Sequence, residues 1–242
     1  MSRAFTLAEV LITLGIIGIV AAMTLPTVIS NNKKKTVEAR LQKFYSVANQ
    51  AIKLSELKNG PKELWKGCKG GYTATENKMA CSDWYNIYLR DYLKTTKIEH
   101  FTNKYQYTLA YFPDGSLMVL KSGYDIFYYP FAKDYNEAKM SDTTRPHNGK
   151  QCFMFTFIPN SALNNVPYSK GKGIEPYKNL VCENKTDSNG NKTQVCNNIT
   201  KEELQNNSKF GCNSISSSNR AYCTAFIQLN NWQIPENYPF KL

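Results

Sequence analysis

The chain divides by its hydrophobic pattern into three unequal parts. Residues 5–29, FTLAEVLITLGIIGIVAAMTLPTVI, are apolar apart from Glu9 and a few threonines. As a helix rising 1.5 Å per residue, this run reaches about 37 Å, against a hydrocarbon core of about 30 Å. It is long enough to span a membrane with some tilt. Beyond Lys33-Lys34-Lys35 the pattern changes. Val37, Leu41, Phe44, Ala48, Ala51 and Ser55 recur every three or four residues, with Ile52 and Leu54 beside them, and residues 31–58 contain neither Gly nor Pro. That spacing predicts an amphipathic helix with one core-seeking face, ended by Asn59-Gly60-Pro61. One helix of roughly 50 residues is expected, about 75 Å long: its first half (5–30) crosses the membrane, and its second half (31–58) docks on a head made of residues 59–242.

Turn signals and shorter patterns organise that head. Residues 65–80 read as a loop. Ser82 as a cap, with Tyr85, Tyr88, Leu89 and Tyr92 on one face, predicts a helix over 83–94. Tyr105, Tyr107, Leu109 and Tyr111 alternate with polar or small residues and lead through Pro113-Asp114-Gly115 into 117–120, which predicts a β-hairpin with one half-buried face. Residues 151–158, after Asn148-Gly149, and residues 222–229 predict further strands. Asn189-Gly190 predicts a hairpin joining 180–182 to 195–197. Near the end, Trp232, Ile234, Tyr238 and Phe240 predict an aromatic clasp that tucks the C terminus onto the head. A long helix followed by antiparallel strands makes the fold class α+β.

Within the apolar run, Gly15, Gly18, Ala21 and Ala22 fall at three- and four-residue spacing, a stripe that lets membrane helices approach closely. Pro26 removes an amide donor before the run ends. The start Met1-Ser2-Arg3-Ala4, followed by Phe-Thr-Leu-Ala-Glu, resembles the leader and mature N terminus of type IV pilins and of the pseudopilins of type II secretion. That family has a short basic leader, cleavage before a Phe, a Glu at the fifth mature position and a Pro toward the end of the apolar segment. Here these are Arg3, Phe5, Glu9 and Pro26. Where the family usually has Gly before the cleaved bond, this chain has Ala4.

The resemblance implies a pilin-like fold and a leader, residues 1–4, cut between Ala4 and Phe5 by a prepilin peptidase, with methylation of the new amine. It implies a structural subunit and not an enzyme. The subunit would polymerise with itself and with other pilin-like subunits through its N-terminal helix, on an inner-membrane assembly platform, into a type II secretion pseudopilus or a type IV pilus. Glu9, Gly15, Gly18 and Pro26 are the assembly residues on this reading. The expected location is the bacterial cytoplasmic membrane, single pass with the head outside, and then a periplasmic or extracellular filament. The competing reading of the run is an ordinary signal peptide ending near Ala21-Ala22, which its length and Glu9 oppose.

Charge adds a second function class. The formal net charge is +11 and there are 16 tyrosines, so a minor pilin whose head binds DNA or surface polyanions stays open as an alternative. The positive-inside rule would keep Lys33, Lys34 and Lys35 in the cytoplasm. The seven cysteines argue the other way: all follow the stalk and none forms a C-x-x-C pair, which favours disulfides in an oxidising compartment. Proximity and turn placement pair Cys182 with Cys196 across Asn189-Gly190, Cys212 with Cys223, and Cys68 with Cys81. Cys152 is left outside these bonds.

Catalytic and metal-binding material is sparse. His100 and His147 are the two histidines, and neither has a Cys or His at metal-ligand spacing. Residues 187–191 place oxygen ligands at alternating positions, like the start of a calcium loop, but Lys192 and Asn198 stand where an EF-hand has Gly and Glu. No cofactor is expected, calcium being the one candidate. No phosphate-binding G-x-x-x-x-G-K-[ST], G-x-S-x-G elbow or H-E-x-x-H occurs, and Gly171-Lys172-Gly173 reads as a loop. An anchored or secreted enzyme, the third class, lacks a catalytic constellation.

Overall fold

Helix α1, Leu7–Asn59, runs without interruption through Pro26 for 53 residues, about 80 Å. The structure, a computed structural model, describes residues 5–69, 78–101, 107–121, 125–141, 148–159, 171–178, 180–186, 188, 190, 192–215 and 220–242, with backbone alone at 69, 78, 139 and 141 and over 180–185 and 192–197. The leader residues, Ala4 among them, lie outside the described residues. On the second half of α1, Val37, Leu41, Phe44, Ala48, Ala51, Ile52 and Ser55 are buried, while Leu54 remains 43% exposed. The stop is a glycine cap. Gly60 sits at φ 76°, a conformation that suits a residue without Cβ, and its amide donates to the Glu56 carbonyl at 3.0 Å.

The face of α1 that carries Phe44 lies on a six-stranded antiparallel sheet. Its strands follow in chain order: β3 (Lys97–His100), β4 (Thr108–Tyr111), β5 (Leu117–Leu120), β6 (Asp125–Tyr129), β7 (Phe153–Phe157) and β8 (Ile174–Pro176). Alternate residues face opposite sides of such a sheet. Met118, Leu120, Ile126, Tyr128, Phe153 and Phe155 join the core under α1, where Phe44 stacks on Tyr128 with ring centroids 4.3 Å apart. Leu109, Leu117, Val119, Phe127, Tyr129 and Met154 face a second core. Both sides are therefore covered. Thr108, Leu109 and Ala110 are all buried, which corrects the expectation of one half-buried face. Residues 105 and 106 of the expected strand lie outside the described residues.

The second core is roofed by α4 (Lys201–Asn206) and α5 (Cys223–Leu229). Residues 222–229 thus form a helix and not the expected strand. Cys223, Thr224, Ala225, Phe226 and Ile227 are all buried. A short apolar run with no polar face carries no period by which helix and strand can be told apart. Cys212, between α4 and α5, is bonded to Cys223. Cys152 is fully buried beside this core, and Tyr129 next to it donates its hydroxyl at 2.9 Å to Met140 Sδ in α3 (Glu137–Ser141).

Two corrections concern the link between α1 and the sheet. The expected loop contains a parallel pair, β1 (Gly67–Lys69) and β2 (Lys78–Ala80), and α2 (Cys81–Tyr88) follows β2 directly. Ala80, not Ser82, precedes the first turn of α2, and no side chain caps it. The Cys68–Cys81 bond fixes that start. The helix ends at Tyr88, short of Lys94, where the Arg90 amide turns back to the Tyr85 carbonyl at 2.9 Å. Trp65 stacks on Tyr88 at 4.3 Å and seals the corner.

Outside the main sheet, β9 (Leu180–Thr186) and β10 (Lys192–Asn198) form a separate antiparallel ribbon. Its register sets Cys182 opposite Cys196. The side chains of these two cysteines lie outside the description.

Candidate functional site

Among the described residues, the apolar half of α1 stays exposed at every position from 5 to 29. Its start is built locally. Thr6 is extended (φ −80°, ψ 152°), its hydroxyl accepts the Glu9 amide at 3.3 Å, and its own amide and hydroxyl each donate to Glu9 Oε2 at 2.8 Å. This is a capping box, for which Thr-x-x-Glu is the sequence signature. Reading Glu9 as an assembly residue alone misses it. Within one chain the carboxylate is hydrogen-bonded, with no cation at ion-pair distance among the described residues.

Farther along, hydroxyls in the helix turn inward. Thr13 Oγ1 donates to the Glu9 carbonyl at 2.9 Å, and Thr24 Oγ1 to the Val20 carbonyl at 2.9 Å. These groups need no water, as a membrane interior requires. The apolar side chains are bare: Phe5 is 85% exposed and Met23 75%. At Gly15 and Gly18 an added Cβ would meet nothing within 4 Å. Among the described residues nothing therefore packs on Gly15 or Gly18, and a surface this apolar needs lipid or another helix to cover it.

Above Lys35 the helix is fastened to the head. Arg40 donates to the carbonyls of Pro130 and Asp114 and lies 4.9 Å from the Phe131 ring. Lys43 pairs with Asp114 at 2.8 Å. Burial works to raise the Asp114 pKa, but hydrogen bonds from Lys43 and Ser116 outweigh it and hold the carboxyl below its ordinary value. On the opposite edge of the sheet, Tyr45 donates to Glu175 at 2.9 Å, and Asn49 bonds the backbone of Ile174 in β8. Burial, and then the Glu175 charge, push the Tyr45 hydroxyl up to about 12. The C-terminal clasp closes the same side: Trp232 lies 5.1 Å from Tyr45, and the Ile234 amide donates to Glu38 at 2.7 Å. These fastenings join residues distant in the chain, so spacing alone did not reveal them.

Elsewhere the head offers little reactive chemistry among the described residues. His100 Nδ1 lies 3.1 Å from Thr108 Oγ1, and no described group of three His, Cys, Asp or Glu could hold a metal. His147, Asp187, Asn189 and Asn191 lie outside the described residues. Tyr85, Tyr88, Tyr107, Tyr128, Tyr129 and Tyr222 are buried and serve the cores, so they present no open platform for bases.

The molecule is thus an α+β head on a helix long and apolar enough to cross a membrane. Residues 27–242 match the model of a family of unknown function (DUF6613), and the chain belongs to that family. The match begins after Pro26 and takes in the amphipathic half of α1 and the whole head. No curated protein and no solved structure matches the chain.

Proposed function

We propose that this chain is a pilin-like structural subunit, cut between Ala4 and Phe5, held in the cytoplasmic membrane with its head outside, and polymerised through α1 into a type II secretion pseudopilus or a type IV pilus. The carrying observation is the division of α1 into a bare apolar half and a half packed into the head with no linker between them. An ordinary anchor needs only to hold its domain near a membrane, and a flexible linker serves that purpose. A rigid continuation transmits force from head to stalk. Pulled from lipid, the bare half requires other helices around it, and Gly15 and Gly18 supply the close-approach face. The partners on this reading are further copies, other pilin-like subunits, the prepilin peptidase, the assembly platform and membrane lipid.

Cysteines placed in the stalk test this. With Ile16→Cys and Leu25→Cys in one chain, oxidation of native membranes is expected to give a ladder of covalent oligomers. Recovery of monomers alone would oppose polymerisation through α1.

A further inference from the structure

We propose that the base of the head is a binding site for anionic phospholipid headgroups, made by Lys33, Lys34, Lys35 and Lys241. The inference rests on the membrane-spanning part of the reading above. Lys33 lies one turn beyond Ile29, the last residue of the apolar run, or about 6 Å along the axis; the headgroup layer is about 5–7 Å deep on each side of the hydrocarbon core. Lys33 therefore stands at phosphate level, with Lys34 and Lys35 about 7.5 and 9 Å along the axis at its outer edge. Successive helix positions turn by about 100°, so they fan across more than half of the helix circumference.

The fold adds a fourth cation that the sequence places more than 200 residues away. Lys241 and Leu242 share one open groove with Ala21, Leu25, Pro26 and Lys33, so the chain end returns to the stalk at the level where the apolar run stops. The tail is pinned there by the Ile234 amide on Glu38 and by Phe240, which is 8% exposed. The Phe240 ring lies 4.6 Å from the Arg220 guanidinium and 5.6 Å from Lys150 Nζ, which brings two more cations to the end of the chain. Among the described residues of α1, Glu38 is the acidic side chain within one turn of these lysines, and it accepts the Ile234 amide. A basic rim around an emerging apolar helix matches the phosphates of an anionic leaflet.

The test places the full chain in nanodiscs of phosphatidylcholine alone or of phosphatidylcholine mixed with phosphatidylglycerol, and measures acylation of each lysine by a water-soluble amine reagent. Phosphatidylglycerol should slow labelling of Lys33, Lys34, Lys35 and Lys241 by roughly threefold or more, as expected for cations held at an anionic surface, and high salt should abolish the difference. Lys58, about 35 Å farther along α1, should label at one rate throughout. A chain that inserts but labels identically in both lipids overturns the lipid site alone. A chain that does not enter the discs overturns the membrane span, and the site with it.

Discussion

Asn49 pairs with Ile174 as one strand pairs with another: its side-chain Nδ2 donates to the Ile174 carbonyl at 2.8 Å, and the Ile174 amide donates to its Oδ1 at 3.0 Å. Ile174 belongs to β8, the edge strand of the sheet, and an uncovered edge exposes its backbone groups to other chains. The close approach needs Gly173, where an added Cβ would lie 2.0 Å from Asn49 Oδ1. Gly173→Ala and Asn49→Ala should each cost about 2 kcal/mol, by leaving the same buried backbone groups unpaired. Combined, they should cost little more than either alone. Denaturant unfolding of the detergent-solubilised chain checks this, and fully additive losses would contradict a shared contact.

Asp114 predicts acid sensitivity at the junction. Its folded pKa lies below the ordinary value of 3.8, so its contribution is fully present above that value and is lost as pH falls through the folded pKa. Asp114→Asn should therefore lower stability at pH 6, with the gap to wild type narrowing toward pH 3. A gap that does not change with pH would assign the loss to shape and not to charge.

Disulfide mapping under non-reducing conditions should link Cys68 to Cys81 and Cys212 to Cys223, as the described residues are bonded. The facing register in the β9–β10 ribbon adds Cys182 to Cys196. Cys152, fully buried, should react with a maleimide only after unfolding. A peptide joining Cys152 to any other cysteine would contradict the scheme.

The sequence made some of this plain and hid the rest for physical reasons. The α1 helix was legible because one face repeats every three to four residues and Gly60-Pro61 ends it. The β5 strand and the pairing of β9 with β10 were legible from local turn chemistry. The sheet is covered on both faces, so Phe127-Tyr128-Tyr129 in β6 and Ala225-Phe226-Ile227 in α5 read alike as unbroken apolar runs, although one is strand and the other helix. The edge strands β3 and β8 are short and carry Lys97, Glu99 and Glu175, so no alternation announces them. At the stalk, Thr-x-x-Glu over 6–9 is the signature of the capping box, which reading Glu9 as an assembly residue alone overlooks.

That box makes Glu9→Gln a clean substitution. Gln at the third helical position still accepts the Thr6 amide, so the helix start survives and only the charge is lost. Insertion and cleavage should proceed as in wild type. On the proposed reading the carboxylate attracts the new Phe5 amine of an incoming subunit in a low-dielectric setting, so incorporation into filaments should fall. Competition between tagged wild-type and Glu9→Gln chains measures this; equal incorporation would leave shape and apolar packing as the whole driving force.

The central claim is met most directly by intact-mass analysis of the chain recovered from sheared or membrane-extracted filaments. The account predicts a mature species that begins at Phe5, lacks residues 1–4, carries a methylated amine, and is found in the polymeric fraction. A chain that keeps Met1 and stays monomeric, or one that begins after Ala22, would contradict it.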